Sequence, residues 1–146
     1  MNAAKEARTI LARVHREFYR ETEYAKAHKA ASDELVTRFF ALAEEQGLAV
    51  FLTEGERRGV SVGKFKSGAT IVVGHEGAIQ VRLEGHNTVS GTPVIAPIEF
   101  DPVAGVLVST EEDKDVTPTP GERLPRVDPL IVLARMVEKL ARAANA

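Results

Sequence analysis

An α+β fold, with N-terminal helices before an antiparallel meander sheet and a C-terminal helix after it, is the class this 146-residue sequence predicts. Three observations predict it. About forty-five helix-forming residues precede Leu48, six short β-rich runs crowd between Leu48 and Ser109, and a second helix signal starts at Pro129. The expected organisation is a single domain over 1–146. It comprises a helical segment 1–47, a sheet region 48–109, a Pro-rich acidic loop 110–128 and a C-terminal helix 129–144.

The first helix is read over about residues 3–30. Ala4, Ala7, Leu11, Val14, Phe18 and Ala25 recur at three-, four- and seven-residue steps and fall on one stripe, with Arg13, Arg16, Glu17 and Arg20 mostly elsewhere. Ser32-Asp33-Glu34 has the makings of an N-cap with acids in the first turn, which places a second helix at about 33–46. Leu35, Val36, Phe39, Phe40, Leu42 and Ala43 give it a wide apolar face, and Gly47 supplies a C-terminal stop. One long bent helix with Ser32 inside it is the alternative, since no residue there forbids helical geometry.

From Leu48 the period changes to two. Ile79, Val81 and Leu83 alternate with Gln80, Arg82 and Glu84, so the first three should face the core and the second three should face away from it. Further runs at Ala49–Thr53, Val60–Phe65, Ala69–Val73, Val94–Phe100 and Val106–Ser109 are separated by Gly-containing turns. Links this short make hairpins and leave no room for crossover helices, so the sheet should be antiparallel, with five or six strands and the helices mainly on one face. Pro93 and Pro97 lack the ladder N–H, which pushes their strand to an edge or an irregular stretch.

Residues 110–127 hold Pro118, Pro120 and Pro125 beside the acidic run Glu111-Glu112-Asp113-Lys114-Asp115, and read as an exposed loop. Asp128-Pro129 is an N-cap followed by proline at the first helical position. Leu130, Leu133, Ala134, Val137, Leu140 and Ala141 then return an apolar face to the core.

Composition excludes several kinds of chemistry. Cysteine is absent, which removes disulfides, thiolate nucleophiles and soft zinc ligands together. A formal net charge of -2 provides no overall field for nucleic acid or an anionic membrane. No stretch approaches the roughly 20 apolar residues of a membrane span, and the start of the chain lacks the apolar core of a signal peptide, so a cytoplasmic location is expected.

The motifs that hint at chemistry fail in their own context. Gly59-Val60-Ser61-Val62-Gly63 has the spacing of a nucleophile elbow, but another strand follows it where the elbow needs a helix. Gly63-Lys64 lacks both the Ser/Thr and the upstream glycine of a phosphate loop. His75 and His86 flank a seven-residue strand and so lie more than about 20 Å apart. His15 and His28 are about 20 Å apart along a helix and on different sides of it. No metal or other cofactor is expected. Glu84, Glu99 and Asp101 are candidate paired carboxylates, but acid/base work requires environments that differ, which spacing alone does not supply.

Residues 1–31 carry seven Lys/Arg against four Glu, too mild a bias for phosphate recognition, and the acidic loop could neutralise it within the protein or in a second copy. The expected function is therefore a small non-enzymatic binding or protein-interaction module, homodimeric or otherwise homo-oligomeric. Its contacts would come from the helical stripe of Leu11, Val14 and Phe18 or from the outward sheet residues Gln80, Arg82 and Glu84. Its partner would be a second copy or another protein, with no membrane partner and nucleic acid disfavoured. The alternative is a small-molecule-binding protein or enzyme with a pocket between sheet and helices.

Overall fold

The computed structural model describes residues 2–53, 57–62, 67–85, 91–117, 119–122 and 126–145. Helix α1 (Ala3–Val14) passes through a π-helical turn (His15–Tyr19) directly into α2 (Arg20–Glu45). Strands β1 (Val50–Leu52), β2 (Arg58–Ser61), β3 (Ser67–Val73), β4 (Ile79–Gly85), β5 (Val94–Ile95), β6 (Ile98–Asp101) and β7 (Val106–Ser109) follow, and α3 (Pro129–Ala144) comes last. The fold is α+β with a meander sheet. β1 to β5 form an antiparallel sheet in sequential order, and β6 and β7 form a separate two-stranded hairpin.

The expected break near Ser32 does not exist. The helix runs unbroken through it, and its only irregularity is the π turn further upstream. Ser32 does not cap: it lies within the helix, and its buried hydroxyl donates a 2.7 Å hydrogen bond to the Gly77 carbonyl on the β3–β4 turn. Gly47 does end the helix, at φ +84°, with its own N–H donating to the Glu44 carbonyl and that of Leu48 to the Ala43 carbonyl.

Two strand assignments also change. The expected strand Val60–Phe65 begins two residues earlier, at Arg58, and ends at Ser61; Phe65 lies outside the described residues. The single run Val94–Phe100 is two strands. Pro97 interrupts it, so Val94–Ile95 pairs with β4 while Ile98–Asp101 turns away to pair with β7. β5 is thus a two-residue edge strand flanked by Pro93 and Pro97, as missing N–H groups predict, and it offers little backbone for edge-to-edge pairing.

The core lies between one face of the five-stranded sheet and two helices. Val60, Ala69, Ile71, Ile79 and Val81 project from the sheet, Leu35, Val36, Phe39, Phe40 and Ala43 from α2, and Leu133 and Val137 from α3. Ile79 and Val81 are buried, Leu83 half-buried and Gln80 exposed, so the predicted alternation sets the register of β4. Asp128 caps α3 by accepting from the Leu130 N–H at 2.8 Å.

Candidate protein interaction surface

α1 starts at Asn2, whose side-chain oxygen accepts from the Lys5 N–H at 3.1 Å. Every residue from Asn2 to Phe18 is exposed. The apolar stripe is left exposed in the described structure: Ile10 is 48% exposed, Leu11 65%, Val14 45% and Phe18 59%. Single exposed apolar residues are ordinary, but four on one face of one helix are a continuous apolar surface. In the π turn, closed by i→i+5 bonds, four residues complete less than a full turn. Phe18 therefore falls slightly short of Val14 around the axis, on the side where Ile10 lies, and the stripe stays unbroken.

The helix meets the folded body at Tyr24. Its hydroxyl donates to the Phe100 carbonyl at 3.3 Å, and its ring stands edge-on to Phe100 with centroids 5.5 Å apart. One turn later His28 stacks on Phe100 at 5.5 Å and 13°. On its other side Gly77, at φ +97°, comes so close that a Cβ there would overlap the imidazole. Burial holds the His28 imidazole below its ordinary pKa of 6.5. His28 is a packing residue at the joint, and the segment before Tyr24 projects as an arm of about 30 Å at 1.5 Å per residue.

The expected sheet surface is only partly available. Gln80 is exposed and Arg82 half-buried, but Glu84 is 1% exposed and offers no surface to a partner. Its two carboxylate oxygens accept from Arg57 Nε at 3.0 Å and Arg57 Nη2 at 3.3 Å, a two-point pairing that the fork of a guanidinium favours. Beside it the Phe51 ring lies across Gly59 and Gly68, where any Cβ would collide with the ring, and Thr53 and Thr70 are buried nearby. Two glycines in neighbouring strands make room for one aromatic ring, so this end of the outer face is packed. Glu99 and Asp101 lie in the other sheet, Glu99 exposed and Asp101 accepting from the N–H groups of Val103 and Ala104 in its own turn. The structure does not assemble these three carboxylates into one site.

The acidic loop is matched within the protein, by α3. Arg135 lies 3.6 Å from Glu111, 3.9 Å from Asp113 and 3.8 Å from Asp115. Among the described residues no group of three or more His, Asp or Glu side chains could hold a metal ion, and His75 is an exposed turn residue. His86 lies outside the described residues. Ser61 closes β2 opposite Gly68 in β3, with no helix after it.

The sheet–helix interface is filled by Phe39, Phe40 and Ile79. Depressions are surface clefts, one of about 430 Å³ between α2 and β2–β3 and one of about 210 Å³ between α2 and α3 lined by Phe39, Leu42, Leu48, Leu130 and Ala134. Arg57 and Arg58 border the first, but Arg57 is engaged by Glu84 and Arg58 sits 4.4 Å above the Phe40 ring. Among the described residues no helix is long and apolar enough to cross a membrane. No family model matches the chain, and no match emerges from curated proteins or from solved structures.

Proposed function

We propose that this protein is a non-enzymatic interaction module that associates with a second copy of itself through its projecting N-terminal helix. One observation carries the reading: α1 presents Ile10, Leu11, Val14 and Phe18 on one face and buries none of its residues. An amphipathic helix that needs no partner shields its apolar stripe against its own sheet, as α2 and α3 do here. The small residues Ala4 and Ala7 extend the stripe and permit close helix approach, which favours another helix as the occupant. The acids Glu6 and Glu17 interrupt the basic residues Lys5, Arg8, Arg13 and Arg16, so the polar face suits solvent better than a phosphate backbone.

Light scattering across a hundredfold range of concentration tests the reading. The parent should be dimeric or larger at micromolar concentration, and Leu11→Glu with Phe18→Glu should give a folded monomer, because both side chains are exposed in the protomer. A parent that stays monomeric throughout, or an association unchanged in the double variant, would refute it.

A further inference from the structure

Resting on that reading, we propose that two arms pair antiparallel and overlap along their whole projecting length, with the small end of each stripe packed against the large end of the other. Side-chain size gives the direction. The stripe opens with Ala4 and Ala7 and closes with Val14 and Phe18. A parallel pair would set alanine against alanine at one end and phenylalanine against phenylalanine at the other. Helix separation follows the side chains at the contact, about 8–10 Å, so such a pair would have to splay. Reversing one arm sets Ala7 against the partner's Phe18 and Leu11 against the partner's Val14, and both layers then join a smaller side chain to a larger one.

Arm length supplies an independent argument. With those layers the pair is centred between Ala12 and Arg13, and Asn2 comes level with the partner's Glu23. That is one residue before the partner's Tyr24, the position at which each helix becomes anchored to its body through Phe100. Each helical arm, from its cap at Asn2, therefore reaches the start of the other body. The two bodies lie at opposite ends of the pair, whereas parallel arms would bring both to the same end. The opposed helix dipoles also favour this direction. A helix of about twenty residues without tertiary contacts is only marginally stable in water, so pairing also supplies the packing that keeps the arm helical.

The absence of cysteine makes the test clean, since one introduced thiol is unique. Lys5→Cys, at an exposed position, carries a nitroxide for dipolar distance measurement on the full-length protein. Antiparallel arms place the two labels about 22 Å apart along the axis, at 1.5 Å per residue. Parallel arms place them about 10 Å apart, one helix separation. The shorter distance in a dimer would overturn the direction and leave self-association standing; a monomer with no dipolar signal would sink both. As a second readout, Ala7→Phe should weaken the dimer at least tenfold, and Phe18→Ala added to it should restore association by exchanging the two sizes. Failure of that rescue would count against the antiparallel layers. Binding of the arm to anionic phospholipid vesicles by a protein that stays monomeric would identify a lipid surface as the occupant and overturn the proposal.

Discussion

The Arg57–Glu84 pair gives the sharpest energetic prediction. The Glu84 carboxylate is fully shielded, whereas 27% of the Arg57 side chain remains exposed. Arg57→Met removes the cation and leaves a buried carboxylate without its two charged hydrogen bonds. Breaking a buried pair from one side typically costs 3–5 kcal/mol, and partial access of water at the Arg57 end lowers the expectation to about 2–3 kcal/mol. Glu84→Leu leaves the guanidinium free to turn toward solvent and should cost about 1–2 kcal/mol. The double variant Arg57→Met with Glu84→Leu should be more stable than Arg57→Met alone, since neither charge is then stranded. Urea denaturation with unchanged m-values measures all three. The expected fall in Tm for Arg57→Met is roughly 5–10 °C at this chain length. A loss below about 0.5 kcal/mol in Arg57→Met would show that the Glu84 end of the outer sheet face is hydrated and refute its description as packed.

Three further outcomes follow from the same packing. Because the folded imidazole of His28 is held below its ordinary pKa of 6.5, the unfolded chain takes up a proton first as pH falls. Stability is then full above that value and declines below it until the folded imidazole titrates as well, so melts at pH 7.5 and 5.5 should differ less in His28→Gln than in the parent. Gly77→Ala should cost about 3 kcal/mol in denaturant melts, combining a positive φ with a methyl group driven into His28; near-parental stability would mean the turn sits further from α2. Val81→Asp should prevent folding by burying an unpaired carboxylate, while Arg82→Ala should change stability by less than about 0.5 kcal/mol, and equal effects would contradict the register of β4.

The elements that could be read from sequence are those set by local rules. The period-two pattern of Ile79–Leu83, the cap at Asp128-Pro129 and the stop at Gly47 depend on neighbours within a few residues, and each appears where the pattern places it. Long-range chemistry decides the exceptions. Ser32 has the composition of a helix start, yet its hydroxyl bonds a carbonyl 45 residues away. Glu84 sits at an outward position of its strand, yet Arg57, 27 residues upstream, reaches it once β2, β3 and β4 are in register. Gly59 and Gly68 fall just outside the runs read at Val60–Phe65 and Ala69–Val73, yet both belong to strands, with Phe51 laid across them.

The arm shows the opposite relation between sequence and structure. Its stripe of Leu11, Val14 and Phe18 was readable from spacing, but spacing states only that a helix has an apolar face and never what covers it. That choice belongs to the whole chain. α2 and α3 already fill the inner face of the sheet, and Phe51 with the Arg57–Glu84 pair occupies one end of the outer face. Compared with a regular α-helix through the same residues, the π turn rotates the stripe by about 100° away from the face that α2 buries. Without that turn, Leu11 and Val14 would continue the line of Phe39 and Ala43. With it, the helix turns one side to its own sheet and leaves the stripe exposed on another. Deleting one residue from the π turn should therefore restore a regular α-helix with the stripe still turned away from the core, so that self-association and the folded body both persist. Light scattering beside a thermal melt checks both, and loss of the dimer with the body still folded would show that self-association depends on the π turn itself rather than on the direction of the stripe.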